Sequence, residues 1–349
     1  MLTTVIGAYP KPKYLKITDW FNAQGGTDTA NPTKYYNQEI NQMGEKAEEL
    51  FVQAAKEVIE DQIDCGIDIV TDGEVRRENY IHYHCRHIEG VDFNTLTEKV
   101  ARTGNYKCWL PTIVSKVRAQ DSFLAHDWKE SQKLSSKPVK ITLPGPMTIA
   151  DTIANTFYTS KDKMGFDLAE VINVEIKRLQ KAGCKYIQVD EPLFARKPQD
   201  AIDFGINNLA KCFEGLENED VEKITHICCG YPDKLDAVDY PKAPLNSYHK
   251  IANLIDKSII NTVSLEDAHR YNDLSLLEKF TDTKIILGLI KIASSKKETN
   301  DEMQSRVKKA LNYIKKENLI AAPDCGLGHL PRKLAKEKLK AMVEAVKDL

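Results

Sequence analysis

Eight short runs, most of them rich in Ile, Val and Thr, recur along the chain, each with a Gly, Pro or acidic residue at or near its end. They are TTVIGAYP at 3–10, IDIVTDGE at 67–74, VKITLPGP at 139–146, YIQVDEP at 186–192, KITHICCG at 223–230, TVSLED at 262–267, KIILGLIK at 284–291 and IAAPDCGL at 320–327. Runs of this length and composition read as buried parallel strands. Apolar residues at helical spacing occupy 44–64, 164–182, 203–215 and 300–315, and the C-terminal stretch PRKLAKEKLKAMVEAVKDL opens with Pro331, which suits a first helical position. Eight strands alternating with helices close most economically into an α/β fold, a single TIM-type (β/α)8 barrel. An open doubly wound sheet is the alternative; the lack of a G-x-G-x-x-G after the first run argues against it.

The rhythm breaks once. Residues 80–136 carry aromatics, polar residues and the short run TIVSKVRAQ. They read as an insertion after the second strand, a hairpin and a helix over the barrel mouth. No Ser- or Gly-rich linker divides the chain, so residues 1–349 are expected to form one domain. A formal net charge of −2 provides no basic excess to hold a phosphate backbone, so nucleic acid is not an expected partner. No apolar run approaches the roughly 18 residues that span a bilayer. The opening MLTTVIGAYP has neither the basic nor the apolar region of a signal peptide. A cytoplasmic protein is expected, with its eight cysteines reduced or ligating a metal. Nothing in the sequence indicates an oligomeric state.

In such a barrel the chemistry gathers at the C-terminal strand ends. Those ends carry Asp72, Gly73 and Glu74; Asp190 and Glu191; His226, Cys228 and Cys229; Glu266 and Asp267; and Asp324 and Cys325. His226 and Cys228 are two apart on a strand and point the same way. With Cys325 and Glu266 from other strand ends they make a set of N, S and O donors that suits zinc, Zn2+. The thiolate spacings of iron–sulfur clusters are absent. A lone H-x-C is more often packing than ligation; a PDCG and an isolated Glu at two further strand ends raise the case for a metal. Cys229 is expected to face the core, and His249 and His269 to be surface or packing residues. Zinc bound by two thiolates and a carboxylate is electron-rich. It suits activation of an incoming thiol as a nucleophile toward carbon better than activation of water.

Taken together, TTVIGAYP, DGEVRR, LPGPMTI, YIQVDEP, THICC, VSLED, PDCGLG and LPRKLA resemble the catalytic domain of cobalamin-independent methionine synthase, in order and spacing, over nearly the whole chain. With one barrel and no duplicated N-terminal half, it is similar to the short, core form. The resemblance implies a zinc site at His226, Cys228, Glu266 and Cys325. It implies a small-molecule thiol acceptor, homocysteine, whose amino group meets Glu74 and Asp190, and a methyl donor such as methyltetrahydrofolate. Gly7 and Ala8 fall where the family reads I-G-S, and its serine holds the acceptor's carboxylate. Ala8 lacks that hydroxyl. After LPGP the chain reads MTIADTIANTF, without the tryptophan that stacks on a pterin in folate-using members; Trp109 is a candidate replacement. Acceptor and donor both stay open. The alternatives are an epoxide–coenzyme M transferase-like alkyltransfer to another thiol, a metal-free barrel like uroporphyrinogen decarboxylase, and a barrel with a structural zinc.

Overall fold

The structure is a computed structural model that describes residues 1–21, 30–101, 106–216, 220–237 and 240–349. All eight runs form strands of one parallel sheet: β1 (Leu2–Thr3), β2 (Val70–Thr71), β3 (Val139–Pro144), β4 (Tyr186–Asp190), β5 (Glu222–Ile227), β6 (Thr262–Leu265), β7 (Lys284–Ile290) and β8 (Leu319–Pro323). Each strand pairs with its chain neighbour from β2 to β8, and β8 pairs with β1. A parallel bridge between Thr4 and Ile69 joins β1 to β2 and completes the ring. The closed arrangement leaves no free edge.

Alternation along the strands sorts two cores. Val139, Ile141, Leu143, Ile187, Val189, Val263, Leu265, Ile285 and Leu287 face outward into a large apolar layer under the helices. Ile6, Ile224, Ile286, Ile320 and Ala322 face inward and pack on the barrel axis. The period of two thus places His226, Ser264 and Glu266 on the inner side, since their odd-numbered neighbours are in the outer layer.

The helix Lys46–Asp64 buries Ala47, Phe51, Ala54, Ala55, Val58 and Ile59, a stripe at helical spacing. The helix Lys161–Ala182 starts at Ser160, whose hydroxyl accepts from the Lys163 amide, and stops at Gly183 with φ 104°. The helix Asn300–Ala310 opens with a reciprocal capping box of Thr299 and Glu302. The expected helix at 203–215 begins as a π-helical turn, Ala201–Gly205, and continues as Ile206–Cys212. Pro331 sits one residue outside the last helix, Arg332–Val346. Among the helices without a sequence expectation, the two longest are Ala30–Met43 and Ser247–Asp256, which buries Tyr248, Ile251, Ala252 and Ile255.

The stretch 80–136 holds a short helix Tyr80–Cys85, antiparallel strands Ile88–Ala101 and Tyr106–Ala119, and a helix Leu124–Lys133. Its residues 102–105 lie outside the described residues. The second hairpin strand also pairs with Ala154–Asn155, just after the helix Pro146–Thr152 that leaves the C-terminal end of β3. The helix Leu124–Lys133 packs beside Lys46–Asp64 and Lys161–Ala182, in the outer ring.

Candidate metal centre and acceptor site

Parallel pairing sets Asp190, His226 and Ser264 in one row across β4, β5 and β6. His226 Nδ1 lies 2.9 Å from Ser264 Oγ, and Nε2 lies 3.2 Å from Cys325 Sγ. A proton on Nδ1 donated to Ser264 leaves the Nε2 lone pair facing the thiols, the tautomer a metal-ligating histidine needs. His226, Cys228 and Cys325 each offer a donor atom, all within 4.8 Å of one another. One nitrogen and two sulfurs at a strand-end cluster fit a borderline-soft divalent ion. The Cys228 thiol is held well below its ordinary range by the hydrogen bond with Cys325, whose own thiol the same contact pushes up. The pair thus favours one thiolate, which is the ligand form.

The fourth expected ligand is not in this group. Glu266 Oε1 lies 2.9 Å from Lys242 Nζ, and Oε2 accepts from the Cys229 amide at 2.9 Å. The ammonium and the amide satisfy the carboxylate, which stays within electrostatic reach of Cys228. Burial raises the Glu266 carboxyl, and Lys242 opposes that shift.

The other acidic strand ends divide by what they touch. Asp324 accepts from the amides of Asp267, Ala268 and His269 at 2.8, 2.8 and 2.6 Å, which fastens the loop after β6. Asp267 takes a two-pronged contact from Arg306. Glu191 accepts from the Met147 and Thr148 amides and the Thr148 hydroxyl, and so clamps the start of the helix Pro146–Thr152. Asp72 accepts from the Glu74 amide. These four are structural.

Asp190 and Glu74 differ. Asp190 accepts from Gln188 Nε2 at 2.7 Å, and its carboxyl is pushed up to about 7 by burial, with His226 pulling it down and Glu74 pushing it up. The mutual effect places the two carboxylates in one neighbourhood. Glu74, at φ 56°, accepts from Arg77 Nη1 at 3.1 Å and Thr142 Oγ1 at 2.8 Å. Gly7 backs onto it so closely that a Cβ there would lie 2.5 Å from Oε1, which explains the glycine. The Ala8 carbonyl accepts from Leu327 N at 2.7 Å, so Ala8 is tied to the loop that bears Cys325.

Sequence reasoning did not anticipate an aromatic cluster over this site. Trp20 and Tyr231 stack with centroids 5.5 Å apart; Tyr80, Phe21 and His329 join them at 5.0–5.9 Å. The Tyr231 hydroxyl donates to Gly326 O at 3.0 Å, beside Cys325. Burial raises the Tyr80 and Tyr231 hydroxyls well above their ordinary range, with Cys228 and Cys325 adding to both shifts and Asp190 to that of Tyr80. DWF at 19–21 and the tyrosine after CCG were the available signals. Cys229 is buried, with its thiol pushed up to about 12 by burial. His269 accepts from the Ile292 amide at 3.0 Å, and burial lowers its pKa to about 3, so it packs as a neutral ring. Trp109 is exposed on the second hairpin strand.

A closed parallel barrel whose strand ends bring together a histidine, two cysteines and two further carboxylates defines a barrel enzyme with a group able to hold a metal ion. A family profile described as the catalytic domain of cobalamin-independent synthase matches residues 1–348. The chain belongs to that cobalamin-independent methionine synthase family and is a methyltransferase. It is 31% identical over 348 residues to a methionine synthase of Saccharolobus solfataricus, covering 99% of this chain and 93% of that one. It is 31% identical over 344 residues to a methionine synthase of Sulfolobus acidocaldarius, covering 98% and 90%. Among solved structures, a B12-independent methionine synthase from a Shewanella species, in complex with selenomethionine, aligns with a TM-score of 0.83 and 29% identity over 99% of this chain and 96% of that one. Among the described residues no helix is long and apolar enough to cross a membrane.

Proposed function

We propose that the protein transfers a methyl group to the thiol of homocysteine, giving methionine, with zinc held by His226, Cys228 and Cys325. The observation that carries this reading is the compact His–Cys–Cys group in the same strand-end site as Asp190 and Glu74. The donor set fits zinc because it combines imidazole nitrogen with two thiolates. A bound zinc supplies a Lewis-acidic centre that keeps an acceptor sulfur deprotonated at neutral pH. Ser264 orients the His226 ring for ligation. Asp190 and Glu74 hold the acceptor's ammonium, and Arg77 keeps the paired carboxylates from repelling each other unopposed. Trp20, Phe21, Tyr80 and Tyr231 exclude water from the sulfur, and Gly7 and Ala8 line the acceptor's carboxylate end. Glu266, the fourth ligand that the resemblance implies, would join them on leaving Lys242.

The relative bound to selenomethionine supports an amino-acid acceptor. The methyl donor is methyltetrahydrofolate or another activated methyl compound. Ala8 in place of the family's serine favours a second reading, alkyl transfer to a thiol without an amino-acid group. We further propose that residues 1–349 act as one domain and that the hairpin within 80–136 screens the barrel mouth, a reading supported by its pairing with Ala154–Asn155 at the C-terminal end of the barrel. Seven cysteines of the described residues are free thiols, which supports a reducing, cytoplasmic setting. The test is a product screen: zinc-loaded protein offered homocysteine and simple thiols against folate, corrinoid and sulfonium methyl donors. Methionine formed from at least one donor supports the reading; methylation confined to thiols lacking the amino-acid group overturns it in favour of the second.

A further inference from the structure

Beneath the metal-competent group, the barrel axis is crossed by a buried polar chain. Lys140 is 0% exposed and enters the barrel from β3, between the outward-facing Val139 and Ile141. Its Nζ lies 2.6 Å from Val5 O and 2.5 Å from Gln188 Oε1. Gln188, also 0% exposed, enters from β4 and donates through Nε2 to Asp190 Oδ1 at 2.7 Å and to Ile6 O at 3.2 Å. An amide can be turned either way, but here the two orientations differ sharply in energy. Reversed, its NH2 would face the lysine donor, and its oxygen would face both the Asp190 carboxylate and the Ile6 carbonyl. Lys140 therefore fixes which end of Gln188 meets Asp190. Val5 and Ile6 lead directly to Gly7 and Ala8, so the same chain ties the first strand to Asp190.

We propose that Gln188, held in orientation by Lys140, is a positioning residue that sets the Asp190 carboxylate to receive the acceptor's ammonium. Gln188 occupies Oδ1, and among the described residues no other hydrogen bond reaches the carboxylate, so Oδ2 is left for the ligand. Burial lowers the Lys140 amine to about 7, while Val5 O and Gln188 Oε1 keep its N–H groups directed at the first strand and at the amide oxygen. This inference rests on the reading that Asp190 binds the acceptor's amino group.

The test is calorimetric binding of methionine, and of 4-(methylthio)butanoate, which lacks the amino group, to zinc-loaded protein. The variants are Asp190→Asn, Gln188→Leu, Lys140→Met and Lys140→Gln, with zinc content and circular dichroism measured on each. Gln188→Leu should weaken methionine about tenfold, the effect of one charge-assisted hydrogen bond, and change the amine-free ligand by less than about twofold. Lys140→Met, which frees the amide to turn, should weaken methionine several-fold, while Lys140→Gln retains a donor and should keep most of the affinity. A merely structural role would weaken both ligands alike and would not separate Lys140→Met from Lys140→Gln. Either of those results, or full methionine affinity in a folded Gln188→Leu, overturns the proposal. Full affinity in Asp190→Asn overturns the acceptor reading and this inference with it; loss in Asp190→Asn without loss in Gln188→Leu overturns this inference alone.

Discussion

Cys325 and Cys228 reach the same point from strand ends 97 positions apart, and His226 completes the group with its ring held by Ser264. Removing either thiolate leaves two donors of the compact group, too few to hold zinc tightly while Glu266 stays on Lys242. Cys228→Ala and Cys325→Ala should each lose most of about one zinc per chain, read by atomic absorption after dialysis; full retention in both would remove the zinc assignment. Ala8 poses a sharper question. If the acceptor is an amino acid, Ala8→Ser restores one hydrogen bond of about 0.5–1.5 kcal/mol, a gain of roughly threefold to tenfold in kcat/KM confined to homocysteine. A loss with homocysteine, or an equal gain with a simple thiol, moves the weight to another acceptor. His226, Cys228 and Cys325 were legible because strand alternation and position at a strand end are local properties of the sequence. Ser264 was not, because its role depends on the strand beside it. Nor was the engagement of Glu266 by Lys242, a residue 24 positions away on another loop.

Strand ends and helix starts are where the elements meet the site. Glu191, Asp324 and Asp267 looked like chemistry in the sequence because they stand at strand ends; the structure turns each onto backbone amides or an arginine. A carboxylate motif is ambiguous until its donors are known, and those donors come from other elements. Helix termination is more local. Gly183 ends the helix Lys161–Ala182 in the left-handed region, so Gly183→Ala should cost about 1 kcal/mol of stability through backbone strain. Urea denaturation with an unchanged m-value would check it; a stability equal to the parent would mean that this cap relaxes freely. The helix Ser247–Asp256 was missed although Tyr248, Ile251, Ala252 and Ile255 stand at helical spacing, because it follows a loop without a side-chain cap to announce it.

Across the whole barrel, the consequential burial is that of Lys140. Its amine falls to about 7 in the folded protein, against 10.5 when exposed. Between those values the unfolded chain binds the extra proton, so folding is penalised at neutral pH and the penalty fades as pH rises toward 10. Unfolding free energy should therefore climb more steeply from pH 7 to 9 in the parent than in Lys140→Met, measured by urea titration at both pH values. Identical slopes would mean that Lys140 keeps its charge when folded. A zinc held by His226, Cys228 and Cys325 would enter the same balance: a ligand that binds only the folded chain raises Tm with its concentration, and chelation should lower it. What the sequence determined by itself was the order of eight strands and the strand-end positions of His226, Cys228 and Cys325, because strand periodicity and punctuation are written within a few residues; closure of the ring needed the pairing of β8 with β1 and the Thr4–Ile69 bridge. What only the tertiary structure decided was which strand-end acids clamp loops, where Glu266 rests, which aromatics roof the site and how Lys140, Gln188 and Asp190 connect. Those contacts join side chains from different strands, and their energies depend on burial and on the orientation of each donor, neither of which a linear pattern contains.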